Sequence, residues 1–467
     1  MESTERAVVL GAGIAGLLSA RVLAEFFDQV TLVDRDDLAG APADRRGVPQ
    51  GRHIHAVLAG GQQALEELFA GLTRELVQHG APAGDMLADA RLYFGGHWMP
   101  RARSGLPMLS LSRPFLESQI RDRVLALPNV TVAGPCDIVG LLATPDGRRV
   151  TGVTVFSRAD GSAAEVLLAD LVVDATGRAS RTPRWLATMG YAPPAEERVE
   201  IDLAYTTRMY RLPAAALDGD LGCLITPTPD VPRSGAMARV EGDRWIVTLT
   251  RVGGGPPPTE PDGFVAFAGS LPVPDIHVAI RDAEPVAGPS TYRFPANRWR
   301  RYDLLPRLPA GLLVLGDAVC CLNPVYGQGM TVAAQEALAL RAALGDGRAP
   351  DARRFFREIA RVVAGPWGIA TGGDLSFAHA TGRRSRTLRL MGGYLARLQA
   401  GAAVDARLAV SFLRVSSLVD PPTALLRPRT AVRVARNSRK HPDGRKKGHA
   451  TPERRVAPRV LQGRGER

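Results

Sequence analysis

The chain has 467 residues, 45% of them hydrophobic and 23% charged, with a formal net charge of +12. This length exceeds one ordinary core, so two domains or one domain with large insertions are expected, and the composition excludes a disordered or fibrous protein. The basicity does not mark a nucleic-acid-binding core: residues 427–467 hold 14 Lys+Arg and 3 Asp+Glu, which leaves 45 against 44, or +1, for everything before them.

All three lysines (Lys440, Lys446, Lys447) lie in that extension. Its Pro, Gly and Arg content, with almost no apolar periodicity, reads as a basic, disordered tail over 437–467. Two roles stay open for it: a solvated extension, or a polybasic segment that touches acidic membrane or nucleic acid. The four cysteines (Cys136, Cys223, Cys320, Cys321) form no C-x-x-C pair and no metal-type spacing with histidine. Neither zinc nor a disulfide framework is expected, no metal site is assigned, and a reducing cytoplasm fits. The opening MESTER lacks the charged and apolar regions of a secretory signal. The one long uncharged run, residues 318–335, holds Pro324, Gly327 and Gly329, so it is no spanning helix.

In chain order, residues 6–36 (RAVVLGAGIAGLLSARVLAEFFDQVTLVDRD) come first. A short apolar strand ends at Leu10, and Gly11, Gly13 and Gly16 follow it. Good helix formers then run to Phe27, and residues 30–33 are apolar enough for a buried parallel strand. Gly11 makes the tight turn, Gly13 lets a pyrophosphate approach the backbone, and Gly16 lets helix and strand pack closely. The phosphates then meet free N–H groups at a helix N-terminus, where the dipole favours an anion. Asp34 stands 23 residues after Gly11, where it accepts hydrogen bonds from an adenosine ribose and favours FAD or NAD over NADP.

Further along, Arg46-Gly47-Val48-Pro49-Gln50-Gly51-Arg52-His53 forms a turn. Arg52 or His53 points from it at the ligand, or the segment is a solvated basic loop. Residues 171–186 (LVVDATGRASRTPRWL) place Asp174, Thr176 and Gly177 just after a buried strand. Between 199 and 287, alternating segments read as antiparallel strands that, with residues 90–100, wall a substrate pocket. His97, Tyr205, Tyr210 and Trp245 are pocket candidates that ordinary packing explains as well. Pro256 to Pro258 mark a loop, and GFVAFAGSL a short helix after it. Residues 312–315 read as a strand, followed by Gly316-Asp317, Pro324, Gly327-Gln328-Gly329 and a helix rich in Ala and Leu. From 351 to 419 the pattern is helical, with a first helix ended at Gly365-Pro366 and two more behind it. These cap the pocket or make weak contact with a membrane surface; their arginines exclude spanning.

The stretch from Gly316 to Met330 resembles the second FAD fingerprint of the group A, single-component-type flavin monooxygenases. The resemblance covers about residues 6–436. It implies an α/β fold: a Rossmann-like, GR2-type FAD-binding domain (1–85, 106–191 and 295–346) with an inserted antiparallel sheet for substrate (86–105 and 192–294) and C-terminal helices (347–436). It further implies that Asp317 bonds the ribityl chain, that Pro324 lies against the isoalloxazine, and that the helix opened by Gly327-Gln328-Gly329 meets the anionic N1/O2 edge of the reduced flavin. LSRPFLESQIRDRVL (residues 111–125) is similar to the helix whose arginine, here Arg113, reaches back to FAD.

The implied cofactor cradle is Gly11, Ala12, Gly13, Ile14, Ala15, Gly16, Asp34, Arg35, Arg46, Arg113, Asp174, Thr176, Gly177, Gly316, Asp317, Gly327, Gly329 and Met330. Pro324, Gly327, Gln328 and Arg52 are the implied catalytic positions. Residues 44–72 and the NPVYGQGMTVAA segment are similar to squalene-epoxidase-like bacterial epoxidases of polyether and related natural-product pathways. That implies epoxidation, with O2 and a flavin C4a-hydroperoxide, of an apolar polyene, polyketide or terpenoid substrate in secondary metabolism. Asp174 to Gly177 read Asp-Ala-Thr-Gly where the aromatic hydroxylases have a strict Asp-Gly motif, and Cys320 stands where many group A enzymes have histidine. The electron source is therefore open between NAD(P)H and a separate flavin reductase.

Other readings are an aromatic-ring hydroxylase, a flavin-dependent C=C reductase, and a non-enzymatic binding module using the basic tail. A flavin halogenase needs a lysine beside its tunnel and a W-x-W-x-I-P segment; no lysine precedes Lys440 and no such segment exists. A dehydrogenase using NAD leaves the 316–330 fingerprint unexplained.

Overall fold

The computed structural model describes residues 4–38, 45, 49–158, 164–213, 215–345 and 350–438. The expected tail from residue 439 onward lies outside them, as does Arg46. The N-terminal strand Arg6–Leu10 forms the centre of a five-stranded parallel sheet. Its order is Leu312–Val314, Leu171–Asp174, Arg6–Leu10, Gln29–Val33 and Val130–Ala133. The strands carry apolar runs (Ala7 to Leu10, Leu171 to Val173, Leu312 to Val314) because a parallel sheet is covered on both faces. Helices Ile14–Leu23 and Gly329–Leu344 pack on each other, and Arg113–Leu125 packs beside the first. A three-stranded meander, Cys136–Ala143, Val150–Ser157 and Glu165–Leu168, adds Val150, Val153 and Val155 to the same core.

The second layer is an eight-stranded sheet. Its order is Cys320–Cys321, Ser290–Arg301, Ala195–Arg211, Arg244–Val252, Arg233–Val240, Gly222–Ile225, Ala90–Phe94 and His97–Trp98. It is antiparallel except where Gly222–Ile225 meets Ala90–Phe94 in parallel register. Alternation assigns its faces. Trp245, Val247 and Leu249 join Met237 and Ile225 in a core with Phe264, Phe267, Ile276 and Ile280, from helices Pro261–Gly269 and Asp275–Ile280. The intervening Thr248 and Thr250 point to the other face.

Two local expectations are corrected. The first helix stops at Leu23 rather than Phe27, with Phe26 and Phe27 in the turn that follows. Helix Ala352–Asp374 runs through Pro366. Proline forfeits one N–H bond, but Phe355, Phe356, Ile359, Val363 and Ala370 bury a continuous face that outweighs it. Helix Pro428–Asn437 closes the expected C-terminal helical region, anchored by buried Val434 and by Arg433 paired with Asp405 at 2.6 Å. Among the described residues no helix is long and apolar enough to cross a membrane. All four cysteines are free and buried, and burial pushes the Cys320 and Cys321 thiols far up, so both stay protonated packing groups.

Candidate active site

A cavity of about 630 Å³ opens between the two sheets. Its lining joins stretches far apart in sequence: Gly11, Gly13, Ile14, Ala15, Asp34 and Arg35; Arg113, Thr176 and Gly177; and Gly316, Asp317, Pro324, Gly327, Gln328, Gly329 and Met330. At Gly11 the backbone has φ +90°, and a Cβ would meet Ala175 O at 2.8 Å. In front of Gly13 nothing lies within 4 Å of where a Cβ would stand. Helix Ile14–Leu23 begins there with no side-chain cap, so its first-turn N–H groups are available to an anion.

On the opposite side, helix Gly329–Leu344 starts at Gln328, again without a side-chain cap. Gln328 is 1% exposed, lines the cavity, and finds no hydrogen-bond partner for Oε1 or Nε2 among the described residues. Such a buried amide costs about 1–3 kcal/mol until a ligand satisfies it. Burial pushes the Asp317 carboxyl up, and the guanidinium groups of Arg113, Arg178 and Arg298 pull it back. A space for phosphates at one helix mouth and an orphaned amide at another fit a flavin dinucleotide laid between them.

The ribose end is more charged than its sequence suggests. Asp34 accepts the Ala12 N–H at 2.6 Å and the Asp36 N–H at 2.9 Å, and pairs with Arg45 at 2.8 Å. Arg45 also donates to Ala12 O at 2.7 Å and to Glu117 Oε1 at 2.6 Å. The turn Pro49–Arg52 aims Gln50 at Arg113, whose Nη1 donates to Gln50 Oε1 at 3.2 Å and to His55 Nε2 at 3.3 Å. His55 Nδ1 in turn donates to His53 O at 2.9 Å. Burial first, and Arg113 second, hold His55 down to about 3, so it is a neutral acceptor for that arginine.

Four of the expected residues stand elsewhere. Arg52 is exposed and outside the lining, because the turn that points Gln50 inward points Arg52 away. His55, two residues beyond His53, occupies the position the loop was expected to give to Arg52 or His53. Ala12 and Gly16 lie behind the lining. Asp174 is fully buried beneath it, accepting Thr176 N–H and Oγ1–H at 2.9 and 2.6 Å and the Ser180 and Thr182 hydroxyls at 2.5 Å each. It therefore shapes the Thr176–Gly177 turn. Asp174→Ala is expected to lower unfolding stability by about 3 kcal/mol, equally with and without added FAD; denaturant titration of both forms checks this.

Of the pocket candidates, Tyr205 lines the cavity, while Tyr210 and Trp245 are buried on the far side of the sheet and His97 lies outside the lining. Arg45, Gln50, His55 and Arg178 went unread because nothing in local spacing separates them from other polar residues in loops.

A Rossmann-like sheet with a dinucleotide cradle and a second flavin-type turn defines an FAD-dependent oxidoreductase, and residues 7–214 match the family model described as FAD dependent oxidoreductase. Over 433 residues the chain is 37% identical to Protein Rv3254 of Mycobacterium tuberculosis, covering 89% of this chain and 90% of that one, and it belongs to that protein's family. Among solved structures it is similar to the flavin-dependent brominase Bmp2, with a TM-score of 0.64 at 14% identity over 93% of this chain and 98% of that one. It is also similar to PqsL, a probable FAD-dependent monooxygenase from Pseudomonas aeruginosa, with a TM-score of 0.58 at 17% identity over 80% and 98%. At these identities the structural likeness is one of fold alone.

Proposed function

We propose that this protein is a monooxygenase that uses FAD to transfer one oxygen atom from O2 to a C=C bond of an organic substrate. The observation that carries this reading is the single cavity running from the cradle at Gly11, past the 316–330 turn, to a chamber under the eight-stranded sheet. Bound and reduced, FAD would supply the electrons and the activation of O2. Asp317, the Gly329 helix mouth and Gln328 would hold the ring system; Arg113 and the 49–56 turn would close the cradle; Pro324 and Val325 would face the chamber. Substrate filling the chamber would help keep water from the reacting atoms.

The sheet wall holds no carboxylate at the positions that line the cavity. Epoxidation needs no general base, because the alkene is the nucleophile. This supports epoxidation of a polyene, polyketide or terpenoid C=C bond as the first reading. Ring hydroxylation is the second, favoured by the many hydroxyls on that wall.

The test is oxygen uptake by the full chain loaded with FAD and reduced by NADH, NADPH or an added flavin reductase, followed by mass spectrometry of products made under isotopically labelled O2. Label in the product supports the proposal and identifies the reductant. A saturated product formed without oxygen uptake would instead make the protein a C=C reductase.

A further inference from the structure

Two neighbouring rows of cross-strand pairs supply much of the chamber wall, every member lining the cavity except Thr207, which stands behind Thr248. One row runs Leu224, Ala236, Thr248, Thr207, and the next runs Ser234, Thr250, Tyr205, Tyr292. Cross-strand partners share a face, so these side chains look the same way; six of the eight carry a hydroxyl. A polar face is ordinarily the one turned to water. Here the flavin-binding layer covers it, and Thr248, Thr250 and Ser234 are each 5% exposed.

One hydroxyl on this wall is wired into the protein. Thr248 lines the cavity, and its Oγ1 accepts the Ile54 N–H at 3.2 Å and lies 2.7 Å from Thr207 Oγ1. Thr207 Oγ1 lies 2.8 Å from His53 Nδ1. The imidazole is fixed edge-on against Tyr205, with centroids 4.6 Å apart. Burial, and then Arg52, hold His53 down to about 4, so it stays neutral in the working range and is no proton sink.

The chain can run either way. With the His53 proton on Nε2, both hydroxyl protons point inward and Thr248 offers a lone pair to the cavity. With it on Nδ1 they point outward and Thr248 offers an O–H. A ligand hydroxyl, both donor and acceptor, matches either state.

We infer that Thr248 is a specificity-determining residue that docks a neutral hydroxyl group of the substrate, with Thr207 and His53 as positioning residues behind it. The substrate class is then a hydroxylated unsaturated or aromatic compound rather than a bare hydrocarbon. This rests on the chamber being the substrate site of the proposed monooxygenase. The buried threonine hydroxyl, already committed on its inner side, leaves an unmet bond against an apolar ligand and forms one against a hydroxyl.

The test uses the full-length FAD-loaded protein, titrated with 2-naphthol and with naphthalene and read by perturbation of the flavin absorbance. Wild type is expected to bind 2-naphthol about tenfold more tightly, the worth of one neutral hydrogen bond. Thr248→Val should erase the preference and Thr248→Ser should keep it. Thr207→Val, which leaves Thr248 in the cavity but cuts it from His53, should reduce it. Equal binding of the two probes, binding of neither, or a preference that Thr248→Val leaves intact overturns the inference. If the preference holds but reduced protein takes up no oxygen with any substrate, the monooxygenase reading falls and the hydroxyl site stands.

Discussion

Replacing Gly16 by alanine is expected to give a protein that neither retains FAD nor keeps its native unfolding midpoint. A Cβ at that position would fall 1.7 Å from Gly11 O and 2.8 Å from Gly11 C. Both are backbone atoms, so no rotamer relieves the overlap. Gly11 cannot retreat, because its own turn at φ +90° already sits against Ala175 and Thr176. The helix must therefore lift from the strand, moving the N–H groups proposed to hold the phosphates. A loss of about 3 kcal/mol or more is expected.

Gly13→Ala is the contrast. Its backbone is extended, with φ −74°, and nothing meets the added methyl. Stability should stay within about 1 kcal/mol of wild type, while flavin retention falls because the methyl occupies the space in front of the helix. Flavin absorbance after gel filtration and thermal unfolding, measured on both variants, separate the two effects. A yellow Gly16→Ala protein with an unchanged midpoint would show that the close helix–strand contact is not required.

The second large effect concerns pH. Glu336 lies on helix Gly329–Leu344, is fully buried, and accepts the Gly316 N–H at 2.5 Å through Oε2, while Oε1 finds no partner among the described residues. Burial raises its pKa from 4.5 to about 8, the one hydrogen bond opposing. An acid whose folded pKa is raised binds its proton more tightly folded than unfolded. Its contribution is fully present below about pH 4.5, declines as pH rises, and is lost once pH passes about 8. Stability should fall by on the order of 2–3 kcal/mol between pH 6 and pH 9. Glu336→Gln keeps an acceptor for Gly316 N–H without the charge, so its stability curve should be flatter over that range. Denaturant midpoints of the two proteins across pH test this, and parallel curves would assign the alkaline loss to other groups.

Much of the site was legible because its signals are local. Gly11, Gly13 and Gly16 mark a turn, an approach and a packing contact within six residues, and the 316–330 segment shows the same strand–turn–helix order. Arg52 and Asp174 stand outside the lining for reasons of local geometry that spacing alone does not carry: the turn Pro49–Arg52 directs Gln50 inward and Arg52 away, and Thr176, Ser180 and Thr182 hold Asp174 beneath the surface. The Arg45 pairs with Asp34 and Glu117 likewise join loop, strand and helix with no common spacing.

By itself the sequence determined the two glycine turns that line the cavity, the apolar parallel strands and the alternation along RWIVTLTRV, because glycine conformation and side-chain period are properties of short stretches. Only the tertiary structure decided where that alternation points. Val247 and Leu249 were free to face a core on either side of the sheet. Helices Pro261–Gly269 and Asp275–Ile280 took the apolar face, and the flavin-binding layer closed over the hydroxyl face. Burial of a face is settled by long-range packing, whose free energy no local pattern carries. The chamber wall consequently carries threonine, serine and tyrosine hydroxyls among its apolar residues, where the expected substrate was apolar.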